Sequence, residues 1–154
     1  MLKILYIDMD GVLVDFKSAY PKLKNHERAK YNPTDKPDRE AASAEVPTIF
    51  SRMNPVEGAL EAFDLLSQFY DTYILSTAPW DNPSAWSDKL DWVKTNLGRS
   101  AYKRLILSHN KHLNYGDYLI DDRDKNGADR FRGELIRFGS ARFPDWTSVV
   151  EYLR

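Results

Sequence analysis

Residues 2–16 read LKILYIDMDGVLVDF, and this stretch decides the fold class. The apolar run 4–7 ends abruptly at Asp8, and a second carboxylate follows at Asp10. An apolar run of this kind, rich in Ile and aromatic residues, predicts a buried strand. Two acids at its end are costly unless a partner compensates them, and a hard cation such as Mg²⁺ is the usual partner. Because open α/β sheets bind ligands at the carboxyl ends of their strands, this stretch predicts a functional site there.

Length and composition exclude several classes of protein. The chain has 154 residues, which fits one domain of ordinary size, and its formal net charge is −1. This balance provides no global basic field for nucleic acid or an anionic membrane. The absence of cysteine excludes disulfides, thiolate metal sites and a Cys nucleophile. The first apolar stretch is too short for a signal peptide, and no segment has the ~20 apolar residues of a membrane span, so we expect a cytoplasmic protein.

Apolar runs and helix signals alternate along the rest of the chain. Strands are predicted at 71–76, 104–107, 118–120 and 134–138. Helices are predicted from Asn54-Pro55, with a face that includes Phe63 and Phe69, from Asn82-Pro83, with Trp86, Leu90, Val93 and Leu97 on one stripe, and over 145–153. This alternation predicts an α/β fold with a Rossmann-like parallel sheet and helices on both faces.

The segment 17–47 interrupts this pattern directly after the first strand. It is polar and charged, and four prolines punctuate it. A loop of this length without structure of its own is uncommon in a compact domain, so we predict short helices. The predicted organisation is a core domain of residues 1–16 and 51–154, with a small cap insertion over 17–50.

Further polar residues follow the predicted strands. Ser76-Thr77 comes after the strand at 71–76, where a hydroxyl and backbone N–H groups can bind phosphate oxygens. Asp121-Asp122 directly follows the run 118–120, and Lys111 precedes this pair by ten residues. Adjacent acids repel, so a cation or a basic partner is expected beside them. The three histidines have no metal-ligand spacing and are expected mainly at the surface.

The order D-x-D, S/T, K and D-D, each at a strand end, resembles the four motifs of the haloacid-dehalogenase-like phosphatases. The sequences within the motifs resemble the 5′(3′)-deoxyribonucleotidase family, also described as cytosolic type C 5′-nucleotidases. The supporting segments are DMDGVLVDF at 8–16, NPVEGALEAF at 54–63, ILSTAPW at 74–80 and HNKHLNYGDYLIDDR at 109–123. The likeness covers most of the chain outside 17–47, which looks shorter than the helical cap of the family.

The resemblance implies a role for each matching residue. Asp8 is expected to be the nucleophile, and Asp10 the general acid and base. The residues expected to hold phosphate are Thr77, Ala78 and Lys111. The family has a hydroxyl side chain at the position of Ala78, and alanine has none, so Ala78 is expected to contribute only its backbone. The expected Mg²⁺ site consists of Asp8, Asp10, Asp121 and Asp122, and which of the last two touches the metal directly is left open. The expected base pocket consists of Phe16, Ile49, Phe50 and Trp80, the last because it directly follows the motif at 74–80.

The implied activity is Mg²⁺-dependent hydrolysis of (deoxy)nucleoside monophosphates to nucleoside and phosphate through an aspartyl-phosphate. The alternatives within enzymes are a phosphatase of sugar phosphates or of nucleic-acid ends, and a non-catalytic phosphate-binding module is a weaker third reading. A phosphorylated signalling receiver is disfavoured, because receivers carry the acidic pair on the first strand. The expected partner is a small-molecule nucleotide, with no nucleic acid and no membrane. The base, the sugar, the 5′ or 3′ position and the formation of a homodimer are left open.

Overall fold

The computed structural model describes residues 1–31 and 44–154, and its centre is a parallel β-sheet. The strands of this sheet are β1 (Ile4–Ile7), β4 (Asp71–Ser76), β5 (Leu105–Leu107), β6 (Tyr118–Asp121) and β7 (Glu134–Arg137). They lie in the order β5-β4-β1-β6-β7, and every neighbouring pair is parallel. β1 is therefore the central strand, and the prediction of an α/β, Rossmann-like sheet is confirmed.

The register of the sheet brings the polar ends of three strands together. Ile7, the last residue of β1, lies opposite Ile74 of β4 and Ile120 of β6. The backbone N–H of Asp8 then donates to the carbonyl of Ile120 at 2.9 Å, which continues the ladder by one residue. As a consequence, the side chains that follow β1, β4 and β6 lie at the same edge of the sheet.

Alternate residues of the strands pack in two separate apolar clusters, one on each face of the sheet. Leu5 and Ile7 of β1 belong to the larger cluster, whereas Tyr6 belongs to the smaller one. This alternation is the period-two geometry of a strand. Both faces of the central strand are buried, which explains why its sequence is apolar without a break.

Helical segments cover both faces unequally. The α-helices with buried residues in the larger cluster are α2 (Ala59–Leu66), α3 (Pro83–Asn96) and α4 (Trp146–Leu153). The smaller cluster is covered by the 3₁₀ turn Ala128–Arg130 together with Phe131. The helix predicted over 145–153 begins one residue later, because Asp145 is the N-cap of α4 and its side chain accepts from the backbone N–H of Ser148 at 2.9 Å.

Two predictions about helices were wrong. Asn54 and Pro55 do not begin a helix but form β3 (Asn54–Pro55), which pairs antiparallel with β2 (Val14–Asp15). α2 begins only at Ala59, and Phe69 lies exposed beyond its end.

The predicted apolar stripe of α3 through Leu90 is also wrong, because Leu90 is exposed and the helix buries a neighbouring face. The residues of that face are Ala85, Asp88, Lys89, Trp92 and Val93.

The insertion joins the core through short helical segments. Its described parts contain the 3₁₀ helix Phe16–Lys22, α1 (Asn25–Tyr31) and the 3₁₀ helix Ile49–Arg52. The predicted short helices are therefore present, while residues 32–43 lie outside the described residues. The buried apolar side chains of the insertion, including Val46, belong to the same cluster as the strands. The division into two domains at 17–50 stays a prediction.

Each helix among the described residues is too short or too polar to cross a membrane.

Candidate active site

The candidate site is built around a buried ammonium between two carboxylates. Lys111 lies in the short 3₁₀ turn Lys111–Leu113 after β5, and its Nζ donates to Asp8 Oδ1 at 2.9 Å and to Asp121 Oδ2 at 2.7 Å. All three side chains are buried. Burial lowers the pKa of Lys111, but the charges of Asp8 and Asp121 outweigh it and the net shift is upward. The sheet therefore brings together three residues that lie up to 113 positions apart in the sequence, as the motifs predicted.

Asp122 adds a third carboxylate to this cluster. Oxygens of Asp8, Asp121 and Asp122 lie within 4.8 Å of one another, close enough to share one cation. Oδ1 of Asp122 is buried without a hydrogen-bond partner among the described residues. Gly11 has a φ of 78°, and a side chain at this position would collide with Asp122 Oδ2, so only glycine permits the close approach.

The crowding of carboxylates raises two pKa values. Burial, followed by the charge of Asp8, raises the pKa of Asp121 to about 6 and that of Asp122 to about 7. A single ammonium thus faces three carboxylates and does not balance them. An orphaned buried oxygen and an all-carboxylate donor set are what a hard divalent cation requires, so these residues fit a metal site.

Asp10 lies beside the cluster, but its carboxylate is engaged elsewhere. Lys89 of α3 donates from Nζ to Asp10 Oδ2 at 3.0 Å and to the hydroxyl of Ser76 at 2.9 Å. Burial raises the pKa of Asp10. Asp10 is not one of the three residues whose oxygens converge, and its assignment as a metal ligand stays a prediction.

A cavity of about 370 Å³ opens above the cluster and collects most of the predicted site residues. The predicted site residues that line it are Asp8, Asp10, Phe16, Phe50, Thr77, Trp80, Lys111, Asp121 and Asp122. Ile49 and Ala78 do not line it and are fully buried in the core. Their roles in the base pocket and in phosphate binding stay predictions.

Aromatic side chains form two different walls of this cavity. Phe16 and Phe50 are buried and meet edge to face, with ring centroids 5.8 Å apart. Trp80 is 77% exposed, as expected of a residue at the cavity mouth, and its ring lies 5.7 Å from that of His109. Thr77 lies at the end of β4, where its hydroxyl donates to the carbonyl of Ser108 at 2.7 Å.

Sequence reasoning missed several residues of the site. Arg123, Lys125 and His109 also line the cavity. His109 and His112 are both half-buried, so the expectation of surface histidines was wrong for these two residues and holds for His26. Lys89 is the most important omission, since it is fully buried. The signal that could have found it is its spacing of four and three residues from Ala85 and Trp92, which places it on one helix face with core residues.

Comparison with known proteins first defines the class. The fold resembles a solved HAD-hydrolase of Bacillus subtilis that was crystallised bound to magnesium, with a TM-score of 0.65 and 11% identity, covering 99% of this chain and 98% of that chain. At this identity the likeness concerns the fold alone. This chain therefore shares the fold of that HAD-hydrolase, and it carries an acidic cluster at the carboxyl ends of β1 and β6.

The family follows from the sequence comparisons. Residues 41–147 match the model of the family described as "5' nucleotidase, deoxy (Pyrimidine), cytosolic type C protein". A protein of Vibrio phage KVP40, provisionally named a 5′(3′)-deoxyribonucleotidase, is 56% identical over 97% of this chain and 84% of its own length. The human 5′(3′)-deoxyribonucleotidase, cytosolic type, is 30% identical over 94% of this chain and 77% of its own length. The chain belongs to this family, and the resemblance stated from its motifs is confirmed.

Proposed function

We propose that this protein is a Mg²⁺-dependent phosphatase that hydrolyses (deoxy)nucleoside monophosphates through an aspartyl-phosphate on Asp8. The observation that carries the proposal is the buried contact of Lys111 with Asp8 and Asp121 at the floor of an open cavity. Membership of the family and the names of its relatives support a nucleotide as the substrate.

In the first step, a carboxylate oxygen of Asp8 attacks phosphorus, and the bond from phosphorus to the ester oxygen breaks. Lys111 stabilises the charge of Asp8 and of the phosphoryl oxygens. Asp10 donates a proton to the leaving ester oxygen, so that the nucleoside departs neutral. Burial favours the protonated form of Asp10, because it raises the pKa of this carboxyl group.

In the second step, Asp10 accepts a proton from water, and the oxygen of that water attacks phosphorus. The bond between phosphorus and Asp8 breaks, which releases phosphate and restores both carboxyl groups. Splitting a slow hydrolysis into two easier steps is the benefit of covalent catalysis. Mg²⁺ held by Asp8, Asp121 and Asp122 would supply positive charge to the phosphoryl oxygens.

The test is a screen of phosphomonoesters with the purified protein and Mg²⁺. It compares deoxy- and ribonucleoside 5′- and 3′-monophosphates with sugar phosphates and 5′-phosphorylated oligonucleotides. The expected result is the highest kcat/KM on a deoxynucleoside monophosphate, abolished in the Asp8→Asn variant. A preference for sugar phosphates or for oligonucleotide ends would replace the proposed substrate, and no hydrolysis of any ester would contradict the proposal.

The proposed setting is the cytoplasm, with a small-molecule nucleotide as partner and without nucleic acid or membrane. The name of the human relative, a cytosolic type, supports this setting. Fractionation of the cells that make the protein tests its location, and a membrane-bound pool would contradict it. Sedimentation of the purified protein distinguishes a monomer from a homodimer.

A further inference from the structure

Lys89 occupies a place that lysine side chains rarely take. It lies in the middle of α3 with 0% of its surface exposed. Its Nζ contacts Asp10 Oδ2 and the Ser76 hydroxyl, and lies 4.4 Å from the centre of the Phe50 ring. These three partners come from the loop after β1, the end of β4 and the insertion.

Stability alone does not account for this lysine. Taking an ammonium out of water is costly, and the attraction of one carboxylate often does no more than offset that cost. An apolar residue of similar volume would pack against Phe50 at least as well. The contact with Asp10 therefore indicates that Lys89 acts in the candidate site and not only in the packing of the core.

The two oxygens of Asp10 have different surroundings. Oδ2 accepts from Lys89 at 3.0 Å, whereas Oδ1 is buried and has no hydrogen-bond partner among the described residues. An ammonium can only donate, so the oxygen that faces it cannot carry a proton toward it. A proton held by Asp10 therefore lies on Oδ1.

We propose that Lys89 is a positioning residue for the proposed phosphatase reaction. It holds Oδ2 of Asp10 and thereby presents Oδ1 to the leaving oxygen in the first step and to water in the second. The Ser76 hydroxyl accepts a second hydrogen bond from the Lys89 ammonium. Because Ser76 directly precedes Thr77, this contact keeps a constant distance between Asp10 and the end of β4, where phosphate is proposed to bind. This inference rests on the proposed function and assigns to α3 a part in it.

The test uses two substrates that differ in their need for an acid. An alkoxide leaving group, as in a nucleoside monophosphate, needs a proton, whereas 4-nitrophenolate leaves with little help. The parameter compared is kcat/KM, because it reports the steps up to departure of the leaving group. Lys89→Met should lower kcat/KM about a hundredfold for the nucleotide and less than about fivefold for 4-nitrophenyl phosphate.

Two further measurements separate positioning from a loss of structure. Lys94→Met changes an exposed lysine of the same helix and should leave both kcat/KM values unchanged. In the background of Asp10→Asn, adding Lys89→Met should cost less than about threefold more on the nucleotide, because the group it positions is already lost. If Lys89→Met does not fold, Ser76→Ala should give the same leaving-group dependence with a smaller loss, about three- to tenfold.

Equal losses on the two substrates, or losses that multiply with those of Asp10→Asn, would overturn the proposal. The wild type separates this failure from that of the proposed function. If it hydrolyses another alkyl phosphate but no nucleotide, the assigned substrate fails, and the same comparison is made with that ester. If it hydrolyses no phosphate ester, both proposals fail together.

Discussion

Two groups of charged side chains in this molecule differ in their balance of charge, and the pKa values of their carboxyl groups shift in opposite directions. The strand-end cluster consists of Asp8, Lys111, Asp121 and Asp122, and the insertion anchor consists of Glu27 and Arg52. In the cluster one ammonium faces three carboxylates, and the pKa values of Asp121 and Asp122 rise to about 6 and 7. In the anchor, hydrogen bonds from Arg52 lower the pKa of Glu27 to about 2.

The difference shows that the insertion anchor stabilises the fold, whereas the repulsion within the strand-end cluster destabilises it. Arg52 donates to both oxygens of Glu27, at 2.7 and 2.9 Å, and the backbone N–H of Lys24 donates to one of them at 2.9 Å. Every charge of the anchor is satisfied, and the ion pair joins α1 of the insertion to the 3₁₀ helix Ile49–Arg52. The strand-end cluster keeps an excess of negative charge, which is suited to a cation, and a bound cation can in turn attract the oxygens of a phosphoryl group.

The largest effect is expected from changing Asp8, the proposed nucleophile of the strand-end cluster. Asp8→Asn keeps the shape of the side chain but cannot attack phosphorus, so kcat should fall on the order of 10⁴-fold or more. The same change removes one of three repelling carboxylates, so the melting temperature of the metal-free protein should not fall. Steady-state kinetics and thermal unfolding check the two parts. Near-normal turnover would contradict the covalent mechanism.

Chelation of the metal should have the next largest effect. Without Mg²⁺ the charge on the phosphoryl oxygens loses several kcal/mol of stabilisation, so activity should fall about a thousandfold. Mg²⁺ at about 100 times its Kd should raise the free energy of unfolding by about 2.7 kcal/mol. Asp121→Ala and Asp122→Ala should reduce this rise unequally, and the larger reduction marks the direct ligand. Full activity after exhaustive chelation would refute the metal site.

A third prediction concerns the aromatic wall of the cavity that Phe16 and Phe50 form. Aromatic stacking on a base contributes roughly 1–3 kcal/mol, so Phe16→Ala should raise KM for a nucleotide about ten- to a hundredfold. KM for 4-nitrophenyl phosphate should change little. Phe69→Ala, at an exposed phenylalanine outside the cavity lining, is the matched control. Because Phe16 is buried, melting curves and Phe16→Leu are needed to exclude a general loss of structure. Equal KM changes on both substrates would show that the base does not bind there.

The smallest effect is expected from the pH dependence of stability. Glu27 binds its proton less tightly in the folded state, so its contribution is complete above pH 4.5 and is lost as the pH falls toward about 2. Asp122 has the opposite sign: its pKa is raised from 3.8 to about 7, so the metal-free fold becomes less stable as the pH rises from 3.8 to about 7. The free energy of unfolding should therefore be highest at about pH 4, where the gain from Glu27 is nearly complete and the loss from Asp122 has only begun.

Two substitutions should separate the contributions of Glu27 and Asp122. Arg52→Met should lower the free energy of unfolding by about 1 kcal/mol at neutral pH and flatten the acid side of the profile. Asp122→Asn should flatten the neutral side only. Urea unfolding across the pH range measures both profiles. An acid side that is unchanged in Arg52→Met would show that the anchor does not stabilise the fold.

The strand-end motifs could be predicted because each is local. A buried strand needs an unbroken apolar run, and the residue at which the run stops marks the edge of the sheet, as at Asp8, Thr77 and Asp121. Parallel pairing then brings these ends together, and the resemblance of the motif order to the family added Lys111 to the predicted cluster.

The features that were mispredicted depend on partners that are distant in sequence. Asn54-Pro55 carries a valid local signal for a helix start, but pairing with Val14–Asp15 forty residues earlier overrides it. The rotation of α3 depends on what it packs against, so its sequence did not reveal whether Leu90 or Lys89 would face the core.

By itself, the sequence determined the parallel α/β sheet, the family and the carboxylates that meet around Lys111, because an apolar run ended by charged residues has few foldable outcomes. Only the tertiary structure decided that Lys89 meets Asp10, that Arg52 meets Glu27, and that Ile49 and Ala78 lie away from the cavity. The physical reason is that a buried charge needs a partner, whereas the identity of that partner depends on packing between segments that the local pattern does not relate.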